Sequence, residues 1–221
     1  MSEDWLSFAE RDPSPPEKQG YSSSPSPPGG EKTATIFHSM DGSYAGSRVG
    51  LMDVSVRKSW TGSVLKDGRV IQHLPLTAHA WHCGSASMNI ASTGWEFEGG
   101  GPGRVSEPLT DKQVERAAQI LVFQKERFAW PELARSGRHK SLYEHGEVVA
   151  TACPSHRIPW ARIMLLAEKE DEDMELQELD KRQKAASVLL LVAAKALAGS
   201  PLTQAEHDIS IGVIQGMPIK D

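Results

Sequence analysis

Ordered patterning begins near Lys32. Ala34-Thr35-Ile36-Phe37 is a short apolar and β-branched run, and it predicts a buried strand that ends at His38-Ser39-Met40. A glycine-bearing loop follows from Asp41 to Gly50. Val64-Leu65 and Arg69-Val70-Ile71-Gln72 then flank Lys66-Asp67-Gly68. The Asp-Gly pair supplies the positive φ of a tight turn, so these two runs predict a hairpin. Ser92 to Glu98 (STGWEFE) alternates, with Trp95 and Phe97 on one face and Glu96 and Glu98 on the other. It stops at Gly99-Gly100-Gly101-Pro102-Gly103. Thr110 with Gln113 three residues on is a capping box. Behind it Val114, Ala117, Ala118, Leu121 and Phe128 recur at helical spacing until Pro131. Strand, hairpin, strand and helix in that order predict an α/β domain, a mixed central β-sheet flanked by helices.

The two ends read differently from this middle. Residues 11–30 hold fourteen Pro, Ser or Gly among twenty, which predicts a disordered tail over residues 1–32. After Pro159 comes a charged run, Glu168 to Arg182, then the apolar Ala185 to Ala198, and a second short helix started by Ser200-Pro201 or Thr203. The expected organisation is therefore a tail over 1–32, a catalytic domain over 33–167, and an acidic connector with C-terminal helices over 168–221. The apolar stretch is too short to span a bilayer, for which ~20 residues are needed. Packing on the body is its simplest use, and self-association through the C-terminal helices is the sharper one.

Charge and cysteine content narrow the chemistry. The net charge of the 221 residues is -5, and residues 168–182 alone hold eight Asp or Glu against three Lys or Arg. The acidity thus belongs to one solvated stretch outside the expected domain. Nothing in the balance suits nucleic acid as main partner, since phosphate neutralisation needs clustered Lys and Arg. Two cysteines cannot build a disulfide framework. The acidic start MSEDWLSFAERD lacks the apolar core of a secretory signal, so synthesis in the cytoplasm is expected.

The segment richest in chemistry is His145-Gly146-Glu147-Val148-Val149-Ala150-Thr151-Ala152-Cys153-Pro154. Imidazole and thiolate both suit zinc, and a loop has to bring this pair together. His38, at the end of the first strand, is a candidate third ligand. A different chemistry uses the same residues: Cys83 as nucleophile with His145 as base, the order found in thiol peptidases. No helix N-terminus stands behind Cys83 to lower its pKa.

Several motifs in order resemble the zinc-dependent N-acetylmuramoyl-L-alanine amidases of the type-2 kind, which include phage endolysins and peptidoglycan recognition proteins. They are the strand IFHSM, the hairpin with its sequel KDGRVIQHLPLTAHAWHCG, the strand STGWEFEGG, the helix start LTDKQ and the loop EHGEVVATACPS. The resemblance implies zinc held by His38, His145 and Cys153, a three-ligand set that leaves a catalytic position open. It implies Glu96 as proton carrier and Thr151 as hydrogen-bond donor to the developing oxyanion. Trp81, His82 and Asn89 would line the substrate groove. Glu98 and His156 would be supporting or surface residues, and His73 and His79 hairpin surface. Trp60 falls where several members have a catalytic tyrosine; Glu96 would then carry the proton alone, or Tyr44 would substitute. The implied substrate is peptidoglycan, cut between N-acetylmuramic acid and L-alanine at the bacterial wall. A binding-only relative of the same fold is the non-enzymatic alternative, and retention of Cys153 speaks against it.

Overall fold

The computed structural model describes residues 4–20, 31–197 and Thr203. Two compact units emerge, residues 1–168 and 169–221. In chain order the first holds β1 (Glu10–Arg11), β2 (Ala34–Ser39), α1 (Tyr44–Met52), β3 (Gly62–Val64), β4 (Val70–Gln72), α2 (Ala86–Ala91), β5 (Ser92–Phe97), α3 (Asp111–Arg127) and β6 (Leu142–Glu144). These strands form one six-stranded mixed sheet in the order β1-β4-β3-β5-β2-β6. Only the β3–β4 hairpin is antiparallel; the other pairs run parallel.

β2 and β5 are the centre, and every residue of both is buried. Burial on both faces is usual for parallel strands, which therefore carry apolar or internally bonded residues throughout. Phe37, Trp95 and Phe97 share one face, where Phe37 packs edge-on against Phe97 at 4.9 Å and stacks on Trp160 at 5.0 Å. Thr93 Oγ1 donates to Gln124 Oε1 of α3 at 2.6 Å, which ties α3 to the same face. The capping box at Thr110 and Gln113 is formed in both directions. Side chains such as Phe37 and Phe97 each contribute about 1.5–3 kcal/mol by leaving water. The opposite face carries Ile36, His38, Gly94 and Glu96.

The tail expected over residues 1–32 is corrected for residues 4–20. Leu6 is buried, and its N–H donates to Gln72 Oε1 at 2.8 Å. β1 pairs with β4, Asp12 takes a bidentate hydrogen bond from Arg48, and Asp4 pairs with Arg127 at 2.6 Å. Lys18 is fully buried and donates to the carbonyls of Gly50, Val56 and Lys58. Averaged composition hides these partners because each lies far along the chain. Residues 21–30 lie outside the described residues.

The charged run and all but the last residue of the apolar stretch join in one helix, α4 (Trp160–Leu197). The second short helix expected after Ser200 falls outside the described residues, Thr203 apart. No described helix is long and apolar enough to cross a membrane.

Candidate metal centre and active site

One line of register across the sheet places the polar side chains. Ser63 of β3 pairs with Glu96 of β5, and Glu96 pairs with His38 of β2. Side chains alternate along a strand, so neighbours in register share a face. β6 ends at Glu144, beside Phe37, and the next residue, His145, arrives next to His38 with ring centroids 4.5 Å apart. The loop then turns back, Gly146 N–H donating to Cys153 O at 2.8 Å. A Cβ at Gly146 would sit 2.9 Å from Thr151 O and 3.2 Å from Cys153 O, so glycine lets the loop close this tightly. Cys153 Sγ thereby accepts from Ser39 N–H at 3.2 Å. One ligand atom from each of His38, His145 and Cys153 lies within 4.8 Å of the others.

This donor set fits a metal ion. Two imidazoles and a thiolate are the borderline-soft ligands that zinc accepts, and three of them leave a position for chemistry. Burial holds His38 well below the ordinary histidine range, so it presents a neutral, ligating ring. Burial also lowers His145, against a backbone hydrogen bond to Cys83. The Cys153 thiol is pushed up to about 12, chiefly by burial; a cation among these donors would offset that cost.

His82 sets how His38 presents its lone pair. His38 Nε2 lies 3.0 Å from His82 Nδ1, and His82 Nε2 lies 3.4 Å from Ser92 Oγ. The Ser92 hydroxyl already donates to Met88 O at 2.5 Å, so it accepts from His82 Nε2–H. His82 Nδ1 is then an acceptor, His38 Nε2 carries the proton, and His38 Nδ1 keeps a free lone pair. Burial drives the His82 pKa down to about 3, so this ring stays neutral. The groove-lining role expected of His82 is corrected: it is buried beneath His38. Asn89 is corrected likewise, because its buried Oδ1 accepts from the N–H groups of His82 and Cys83 and from Cys83 Sγ. Asn89 therefore shapes the loop that carries His82. Trp81 stays partly exposed, with the Arg57 guanidinium 5.2 Å from its ring centroid.

Glu96 is the unusual acid of the centre. It is 7% exposed, and its Oε2 has no hydrogen-bond partner among the described residues. Burial raises its pKa to about 8; Lys58 opposes and Asp41 adds to the rise. Thr151 is exposed, and its Oγ1 accepts from Cys153 N–H at 3.3 Å. Glu98 accepts from the N–H groups of Tyr44 and Lys66, which gives it a supporting place. His156 is exposed.

Two other expectations are corrected. Tyr44 does not substitute at the centre: its hydroxyl donates to Asp12 at 2.8 Å, and burial raises its pKa well above normal. Trp60 is buried and donates Nε1–H to Ser63 Oγ at 2.9 Å. His73 and His79 are buried rather than on a hairpin surface, and His73 bridges Ser63 Oγ and Asp12 O. The Cys83/His145 thiol pair is also unsupported. Cys83 is buried, its thiol is directed at Asn89, and burial raises its pKa.

Arg157 escaped the sequence reading. Its guanidinium donates to Ser39 Oγ at 2.6 Å, Glu98 O at 2.9 Å and Glu107 O at 2.6 Å, clamping the ends of β2 and β5. The glycine run after β5 is its trace in the sequence. A Cβ at Gly100 would lie 2.6 Å from Ser39 Oγ and 3.0 Å from Arg157 Nη1.

The family model for N-acetylmuramoyl-L-alanine amidase (Amidase_2) matches residues 29–156, more than half of the chain and inclusive of every ligand candidate. The chain belongs to the N-acetylmuramoyl-L-alanine amidase family. Solved structures agree with the amidase fold. A selenomethionine derivative of AmpD is 22% identical over 75% of this chain and 98% of its own, with a TM-score of 0.58. The catalytic domain of XlyA is 18% identical over 72% of this chain and 98% of its own, at 0.51. A mutant endolysin from Bacillus subtilis is 16% identical over 72% of this chain and 97% of its own, at 0.53. Comparison with curated protein sequences yields no match.

Proposed function

We propose that this amidase binds Zn2+ through His38, His145 and Cys153 and cuts peptidoglycan between the lactyl group of N-acetylmuramic acid and L-alanine. The observation that carries the reading is Glu96, a buried carboxylate with a partnerless Oε2, in register beside His38. Zinc, when bound, supplies Lewis-acid polarisation of the carbonyl and makes water a better nucleophile near neutral pH. Glu96 takes the proton of the attacking water and hands it to the leaving nitrogen. The C–O bond forms as the C–N bond breaks, releasing a lactyl carboxylate and the free amine of alanine. Thr151 accepts from Cys153 N–H, which leaves its own O–H to donate to the carbonyl oxygen. Trp81 offers an aromatic face to sugar or peptide.

Zinc analysis of the purified protein, joined to mass spectrometry of digested peptidoglycan, tests this. Expected are one zinc per chain and free peptides beginning at alanine; cleavage within the peptide would refute it. The wall of a bacterium, reached from cytoplasmic synthesis as by an endolysin, is the proposed place of action. Self-association through α4 is part of the same proposal, supported by exposed Leu176, Leu179 and Leu190. A chain ending near Lys169 should then lose it in light scattering.

A further inference from the structure

One indole clips the sheet together from the face behind the metal centre. Phe37 of β2 and Glu144 of β6 are cross-strand partners, the last pair of their ladder, and the next residues along the chain are His38 and His145. Side chains alternate along a strand, so Phe37 points away from His38, to the face that carries α3. Trp160 sits on that face and touches both members of the pair. Its ring stacks on Phe37 at 5.0 Å with the planes 10° apart, and its Nε1–H donates to Glu144 Oε1 at 2.7 Å. The same ring carries the Arg135 guanidinium, 4.3 Å from its centroid. Arg135 Nη1 donates to Leu142 O of β6 at 2.7 Å and to Glu147 Oε2 at 2.6 Å, and Glu147 Oε2 accepts from Glu144 N–H at 2.6 Å. These bonds all end on β6 or on the turn that carries His145. Trp160 itself opens α4, whose first turns are docked through the buried Ile163 and Ala167.

We propose that Trp160 is a positioning residue of the metal centre: by holding Phe37 and Glu144 together it fixes His145 beside His38. The inference rests on the zinc reading under Proposed function. β6 is three residues long and lies at the edge of the sheet, so its own ladder restrains His145 little. The place of His145 therefore depends on what holds Glu144. A phenylalanine at position 160 could stack on Phe37 but could donate nothing to Glu144; the indole does both. Trp160 touches neither imidazole ligand through these contacts, and it lies beyond residue 156, where the family match ends. The brace is thus supplied by the segment that leads into α4.

The test uses the full chain and reads zinc affinity by competition against a chromophoric chelator. Trp160→Phe keeps the stack, loses the N–H and should bind zinc about tenfold more weakly. Glu144→Leu removes the acceptor and should cost the same, while Glu144→Gln keeps an acceptor and should stay within about twofold of wild type. Both losses come from one bond, so Trp160→Phe combined with Glu144→Leu should lose no more than either alone. The visible absorption of the cobalt(II)-loaded protein reads ligand geometry directly, and it should change in Trp160→Phe and not in Glu144→Gln. Leu6→Ala, at the β1–β4 edge of the sheet, controls for lost stability: its Tm should fall with zinc affinity retained. Undiminished zinc affinity in Trp160→Phe, additive losses in the double variant, or an equal loss in Leu6→Ala would overturn the proposal. A wild type that binds no zinc refutes the metal reading and this proposal with it, whereas a zinc-binding wild type matched by Trp160→Phe refutes the proposal alone.

Discussion

Removing the imidazole beneath His38 should weaken metal binding without touching a ligand. His82→Ala takes away the acceptor that lies 3.0 Å from His38 Nε2 and leaves that buried N–H with none. An unsatisfied buried donor costs about 1–3 kcal/mol. The cost also falls on the alternative tautomer, which would direct the proton of His38 at the metal position. At about 1.4 kcal/mol per factor of ten, zinc affinity should drop about 10- to 100-fold, the range seen when ligand-orienting partners are lost. Competition against a chromophoric chelator measures it, and near-UV circular dichroism verifies that the fold persists. Gly94→Ala is an independent route to the same end. A Cβ there would lie 2.5 Å from His82 Cγ and 2.7 Å from its Nδ1, both in the rigid ring system. His82→Asn, which keeps an acceptor, should fall between the two. Zinc affinity within about twofold of wild type in both His82→Ala and Gly94→Ala would refute the tautomer argument.

Glu96→Gln should cut kcat about 10²- to 10⁴-fold while zinc stays bound, as expected for a lost proton carrier. Its Tm should not fall, because a buried carboxyl whose Oε2 has no partner among the described residues is replaced by a neutral group. Asp12 tests the docked N-terminal segment. Its folded pKa is lowered from 3.8 to about 2, first by the hydrogen bond from Arg48. That stability is present above the unfolded value and lost as pH falls through the folded one. Melting scans from pH 5 to 2 should lose about 1 kcal/mol after screening, and Asp12→Asn should flatten that part of the curve. Lys32 works in the other direction. Burial lowers it from 10.5 to about 8, so between those values the unfolded chain holds the extra proton and stability rises with pH. Lys32→Met should abolish a rise on the order of 3 kcal/mol in urea titrations across that window.

What was legible in the sequence was local. The strand ending at His38, the Asp-Gly hairpin, the capping box and the strand bearing Glu96 are each written within a few consecutive residues. The ligand loop was legible because His145 and Cys153 lie eight residues apart. Long-range partners were not. His82 reads as one polar residue of a loop until β2 lays His38 against it, 44 positions away. Arg157 follows the ligand loop with no pattern of its own, and it makes sense only where the ends of β2 and β5 converge. His73 looks like hairpin surface from its neighbours, yet Ser63 gives it a buried partner. Burial is a property of the assembled sheet.

The N-terminal segment carries this furthest. The family model begins at residue 29, so residues 4–20 lie outside what defines an amidase. They nonetheless complete the sheet edge through β1 and deliver a buried ammonium to the carbonyls of Gly50, Val56 and Lys58. Lysine is rarely fully buried unless paired, and here three carbonyl oxygens accept its hydrogen bonds while Asp53 supplies the opposite charge. Burial lowers the Lys18 pKa, and the three bonds together with the charge of Asp53 offset the cost of keeping it charged. The same composition that reads as a tail therefore supplies the anchor that holds the end of α1 and the loop leading to β3.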